Sequence, residues 1–101
     1  MSDKTNNKIA SIVKRNGTIV AYDKEKVVNA IYKSAVAVGG KDRIISERLA
    51  NKVEDALINN FPPPAIPSVE VIQDIVEKIL IEDGHARTAK AYILYRHEHA
   101  R

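Results

Sequence analysis

Between two short runs of β-branched residues stands Asn16-Gly17, the dipeptide with the strongest preference for a two-residue hairpin turn. A type I′ turn needs positive φ at both central positions, and Asn and Gly tolerate that best. Ile9-Ala10-Ser11-Ile12-Val13 precedes the pair and Thr18-Ile19-Val20-Ala21-Tyr22 follows it; their β-branched and aromatic content suits strands. The pattern predicts a hairpin over residues 8–22, in which a two-residue turn pairs Arg15 with Thr18, Lys14 with Ile19 and Val13 with Val20. Successive side chains alternate faces, so Lys14 and Arg15 leave the ribbon on opposite sides. Both faces carry apolar residues, and a lone two-stranded ribbon is marginal in water, so it must cap something larger.

Helical periodicity supplies the larger partner. Asp23 can cap a helix over about 24–38, in which Val27, Val28, Ile31, Ala35 and Val38 recur at helical spacing until Gly39-Gly40 stops the run. A second helix fits about 42–60, with Ile45, Leu49, Val53 and Leu57 on one stripe. Phe61-Pro62-Pro63-Pro64-Ala65-Ile66-Pro67 cannot continue it and reads as an extended connector. Ser68 can cap a third helix over 68–82, whose Val71, Ile72, Ile75, Val76, Ile79 and Leu80 form a broad apolar face ending at Asp83-Gly84. A fourth helix over about 85–99 buries Ala89, Tyr92, Ile93 and Tyr95. The outline is one domain over residues 8–101, α+β but mainly α, after a disordered polar lead-in at 1–7 that lacks the apolar core of a signal peptide.

Composition removes several classes of chemistry. The chain of 101 residues has no cysteine, which excludes disulfides, thiol catalysis and cysteine-ligated metals. No run approaches the roughly 18 apolar residues of a membrane span. Only four glycines occur, and none forms a Walker-type loop or a GxGxxG turn between strand and helix. The kinase and ATPase phosphate loops are therefore missing, and no Ser-His-Asp or Cys-His set can be assembled. His97 and His99, two apart on a helix, do not share a face and make a poor metal pair. No catalytic and no metal-ligating residue is assigned.

The net charge of +3 is mild, so placement matters more than the sum. Lys14 and Arg15 flank the turn, while Lys24 and Lys26 open the first helix directly after the second strand. Cations at a helix N-terminus oppose its dipole unless an anion lies between them. A phosphate chain there would gain from free N–H groups, the dipole and charged donors together. A basic hairpin edge that discourages strand-to-strand aggregation explains the same residues without a ligand. Arg87, Lys90 and Arg96 on the fourth helix suggest instead a nucleic-acid-binding helical module, although Glu98 interrupts the strip and no aromatic interleaving supports base stacking.

Ile12-Val13-Lys14-Arg15-Asn16-Gly17, then Tyr22-Asp23-Lys24-Glu25-Lys26-Val27 and Ala30-Ile31, resembles the opening signature of the ATP-cone family. Ser68-Val69-Glu70-Val71-Ile72-Gln73-Asp74-Ile75-Val76-Glu77 is similar to that family's third helix, and Ala89-Lys90-Ala91-Tyr92-Ile93-Leu94-Tyr95-Arg96 to its closing helix. The resemblance spans roughly residues 9–98, in order and with family-like spacing. It implies a four-helix bundle capped by a small β-hairpin or sheet. It also implies an allosteric module that binds ATP or dATP, with Mg²⁺ accompanying the nucleotide, and performs no catalysis. In ribonucleotide reductases such modules control overall activity, with ATP permissive and dATP shifting subunit association and shutting the enzyme down.

Carried over by position, the nucleotide-binding set is Val13, Lys14, Arg15, Tyr22, Asp23, Lys26, Val27, Gln73 and Arg96. Lys14, Arg15 and Lys26 would contact phosphates, Tyr22 and Val27 would line the base, and Asp23 would lie near the adenine or the turn holding it. Gln73 falls where some members place a histidine near phosphate or ribose. Val20 stands where certain members carry a glutamate, which leaves base recognition more dependent on backbone groups. The implied partners are the adenine nucleotide, the remainder of a parent reductase chain or its subunits, and other copies in nucleotide-dependent association, in the cytoplasm and without membrane or nucleic acid. No cysteine-rich zinc ribbon precedes the module and no catalytic cysteines follow, so the chain reads as an excised or free-standing cone, with excision from a reductase favoured. An ATP-cone attached to a non-reductase enzyme, such as a small-molecule kinase, would share all of these residues.

Overall fold

The computed structural model describes residues 9–99; the expected lead-in at 1–7 lies outside the described residues. Strands β1 (Ser11–Val13) and β2 (Ile19–Ala21) precede helices α1 (Lys24–Ala37), α2 (Arg43–Asn60), α3 (Val69–Glu82) and α4 (Ala86–Glu98). The fold is mainly α with one small antiparallel sheet. No described helix is long and apolar enough to cross a membrane.

Local chemistry sets the helix ends. Asp23, Asp42 and Ser68 accept from the backbone N–H of Glu25, Ile44 and Val71 at 3.0, 2.9 and 3.2 Å, which satisfies donors that the first helical turn leaves free. At the far end of α1, Gly40 donates to Ala35 and Gly39 to Val36; at the end of α3, His85 donates to Leu80 and Gly84 to Ile81. Both pairs are Schellman closures, with glycine just beyond the last helical residue.

The hairpin differs from the sequence expectation by one residue of register. Val13 pairs with Ile19, Ile12 with Val20 and Ser11 with Ala21, rather than Val13 with Val20. Lys14 N–H bonds Thr18 O at 2.7 Å and Gly17 N–H bonds Lys14 O at 2.8 Å, so the loop holds three residues, Arg15-Asn16-Gly17. Gly17 alone takes positive φ, at +91°, while Asn16 does not, which excludes type I′. Asn16 Oδ1 instead accepts from the Thr18 N–H at 3.0 Å and from its hydroxyl. That side-chain bond holds the longer loop, a type I-like turn followed by one left-handed glycine. Since a one-residue slip turns every side chain over, the correction decides which strand residues face the bundle.

The four helices close into a ring: α1 packs on α2 and α4, and α3 packs on the same two. Val28 and Ile31, then Leu49, Val53 and Leu57, then Ile72, Val76 and Leu80, with Ala89 and Tyr92, fill its centre. Ile93 was expected among them but is 43 % exposed. One step on from buried Tyr92, it is rotated by about 100° away from the ring's interior. The proline segment is not extended throughout. It folds back in a turn closed by Ala65 N–H to Pro62 O, 3.0 Å, and then delivers buried Pro67 to the hairpin. Val13 N–H donates to Pro67 O at 3.0 Å, and Val13 forms a parallel bridge with Ser68. The hairpin is thereby tied to the start of α3.

Candidate functional site

Where the hairpin meets the ring, it leaves a cavity of about 520 Å³. Ile12, Lys14 and Val20 form its strand side, and Tyr22, Asp23, Lys26 and Val27 the entry to α1. Val69, Ile72 and Gln73 contribute from the first half of α3, and Tyr92 and Tyr95 from the second half of α4. The start of α1, the start of α3 and the second half of α4 thus converge beside the hairpin. The walls are mostly apolar, with two lysines and a few lining residues that bear other polar atoms.

Two of those polar atoms carry the strongest signal. Tyr22 Oη and Gln73 Oε1 are buried and have no hydrogen-bond partner among the described residues, although buried polar groups are nearly always paired. Both residues line the same cavity. Burial, with the carboxylates of Glu54 and Asp23 adding to it, pushes the Tyr22 hydroxyl up to about 12, so it stays protonated and can donate. Gln73 Oε1 can only accept. The Tyr92 and Tyr95 rings stack at 5.9 Å between centroids, and His99 continues the stack on Tyr95 at 4.2 Å. Burial also raises the Tyr92 hydroxyl pKa, so that ring stays neutral at ordinary pH.

Six of the nine residues singled out from the sequence, Lys14, Tyr22, Asp23, Lys26, Val27 and Gln73, come together around this cavity. The other three do not line it. Val13 is engaged through its backbone with Ile19, Pro67 and Ser68. Arg15 turns to α3, where Nη1 lies 3.0 Å from Glu70 Oε2. Arg96 joins α4 to α3 through Asp74 at 2.9 Å and Glu77 at 2.5 Å. Burial opposes its charge, but these two carboxylates outweigh that and raise its pKa.

The basic cluster also divides. Lys26 lines the cavity, whereas Lys24 reaches across to α2, contacting Asn51 and lying 3.9 Å from Glu54. The Asp23 carboxylate already takes the Glu25 N–H, so an anion here would be held by side chains more than by the helix end. The sequence pattern places Tyr92 and Tyr95 in the core alone. Their three-residue spacing suits a core stripe and a cavity wall equally, so nothing in the pattern separates the two. Among the described residues, no group of three or more His, Cys, Asp or Glu is placed to hold a metal ion.

Comparison with known proteins adds names to this geometry. The model of the ATP cone domain family matches residues 10–101. The vitamin B12-dependent ribonucleoside-diphosphate reductase of Thermoplasma acidophilum is 42 % identical over 93 residues, covering 87 % of this chain and 12 % of that protein. The anaerobic ribonucleoside-triphosphate reductase of Haemophilus influenzae is 29 % identical over 87 residues, 86 % of this chain and 12 % of that protein. The ribonucleoside-diphosphate reductase subunit alpha of Chlamydia trachomatis is 33 % identical over 100 residues, 90 % of this chain and 10 % of that protein. The chain thus spans 12 % or less of the length of these relatives.

Proposed function

The chain belongs to the ATP-cone domain family, and we propose that its cavity binds an adenine nucleotide, ATP or dATP, whose occupancy regulates a ribonucleotide reductase. The observation that carries the reading is the coincidence, in one apolar cavity, of Lys14 and Lys26 with two unpartnered buried polar atoms. A volume of about 520 Å³ falls in the range of small-molecule pockets, which are mostly apolar with a few placed polar groups. Lys14 and Lys26 suit a phosphate chain, and Val27, Ile72 and the Tyr92–Tyr95 wall suit a flat, apolar-faced base.

The unpartnered atoms refine the division of labour. A phosphate at neutral pH offers acceptors only, so it cannot satisfy Gln73 Oε1. That acceptor calls for a donor, an exocyclic amine or a sugar hydroxyl. The Tyr22 hydroxyl can serve either kind of partner. Magnesium would arrive on the phosphate oxygens with its water, as it does where a protein supplies no carboxylate cage. Val13 and Arg15 border the proposed contacts, and Arg96 stands outside them, held by Asp74 and Glu77.

The domain supplies no reacting group of its own, so its part is to switch a larger enzyme. The reductase relatives favour a reductase parent over another enzyme, and a cytoplasmic setting and nucleotide-dependent association of subunits or copies belong to the same proposal. A nucleic-acid surface is disfavoured, because Arg96 of the basic strip is engaged by two carboxylates.

Calorimetric titration of the chain with ATP, dATP and GTP in the presence of Mg²⁺, beside a Lys14→Ala/Lys26→Ala variant, tests the reading. Adenine nucleotides are expected to bind, and the variant to lose most of the affinity, since hydrogen bonds to charged groups contribute ~1.5–3 kcal/mol each. Equal binding by both proteins would overturn the site assignment.

A further inference from the structure

Lys14 and Arg15 are adjacent cations that the fold treats differently. Lys14 faces the cavity, while Arg15 Nη1 lies 3.0 Å from Glu70 Oε2. Glu70 sits in the first turn of α3, between Val69 and Gln73, which both line the cavity. The pair therefore stands at the cavity's rim. Beside it, Val13 N–H donates to Pro67 O and Val13 bridges Ser68, so Arg15–Glu70 is the side-chain clip of an otherwise backbone-made joint between hairpin and α3.

We infer that Glu70 is an internal competitor for the phosphate chain, holding Arg15 on the rim when the cavity is empty and setting how strongly the site favours longer phosphate chains. The inference rests on the reading that the cavity takes a phosphate-bearing nucleotide. Phosphates drawn to Lys14 arrive one residue from Arg15. A guanidinium forms its strongest bonds with planar or polyanionic oxygen acceptors, and the two partners are 49 % and 38 % exposed, so water weakens the existing pair enough for a polyanion to displace it. Once Arg15 has moved, the Glu70 carboxylate is left facing the phosphates and repels them. The opposition grows with ligand charge: greatest for a triphosphate, smaller for a diphosphate, absent for a nucleoside. Glu70 is well placed to persist in this role, because the positive end of the α3 dipole stabilises an acid in the first turn.

Glu70→Gln keeps the size of the side chain and removes its charge. Titrated with ATP, ADP and adenosine, this variant is expected to bind ATP about threefold more tightly than the wild type, ADP with a smaller gain and adenosine unchanged, in line with the modest strength of exposed pairs. With Arg15 free to reach phosphate, ATP affinity should also fall more steeply with added salt than in the wild type. Adding Arg15→Ala to Glu70→Gln should erase most of the gain. An unchanged or weakened ATP affinity in Glu70→Gln, or an equal gain for adenosine, overturns the inference while leaving the nucleotide site intact. Failure of the wild type itself to bind ATP overturns both.

Discussion

The two ends of the helical ring are built to opposite specifications. At the end away from the hairpin, α1 and α3 finish in Schellman closures that take up several of the carbonyls a helix end leaves free. The space there is small, about 130 Å³, and buried Ser46 and Thr88 lie beside it. At the hairpin end the helices diverge around about 520 Å³, and both of the unpartnered buried atoms among the described residues are found there. A chain able to close one end so fully is not short of means to close the other. Unsatisfied polarity concentrated at one end supports the proposal of a ligand site there, since such groups are tolerated where function requires them.

The largest effects should come from the closed end. Leu80, fully buried near the end of α3, has a packed surround that cannot collapse onto a gap, so Leu80→Ala should cost about 2–5 kcal/mol in denaturant unfolding. Tyr95→Ala at the open end should cost well under that, because its ring already borders free volume. Equal costs would break the comparison. Alkaline titration gives the next effect. The folded Tyr22 hydroxyl ionises near 12 against an ordinary value of 10.0, so both states keep the proton below pH 10 and stability is flat there. Above that the unfolded chain loses its proton first, and stability falls as pH climbs through the folded value. With partial exposure discounted, Tyr22 accounts for up to about 2 kcal/mol of the loss. Tyr22→Phe should remove that share and leave the part due to Tyr92.

The sequence made the helix boundaries, at both ends of the ring, more legible than the cavity at the open end. Caps at Asp23 and Ser68 and stops at Gly39-Gly40 and Asp83-Gly84 are local signals, each expressed where the pattern places it, and the apolar stripes turn inward except at Ile45 and Ile93, which are exposed. The hairpin was legible as a hairpin but not in its register, because the choice lay in one bond from the Thr18 N–H to Asn16 Oδ1. Lys14 and Lys26 could be read as neighbours since a strand leads directly into a helix. Arg15 and Arg96 could not be sorted, because their partners Glu70, Asp74 and Glu77 arrive only when α3 packs against the hairpin and α4. Tyr92 and Tyr95 show the deeper reason. Periodicity states which face turns inward, but not whether anything fills the space opposite.

Gln73 offers the smallest effect and the sharpest separation of the two ends. An acceptor held in a buried place without a donor is a net liability to the empty fold, up to about 1–3 kcal/mol when nothing relieves it. Gln73→Leu replaces that acceptor with apolar surface matching Ile72 and Val76 nearby. The empty variant should therefore be as stable as the wild type or more so, by about 1 kcal/mol, and thermal unfolding measures it. Saturating ATP should reverse the order. Ligand that binds only the folded state stabilises by an amount that grows with affinity, and on the proposed reading the variant lacks the atom that would receive the ligand's donor. A variant less stable when empty would mean that Gln73 is satisfied within the fold, and the open end would then owe its shape to packing alone.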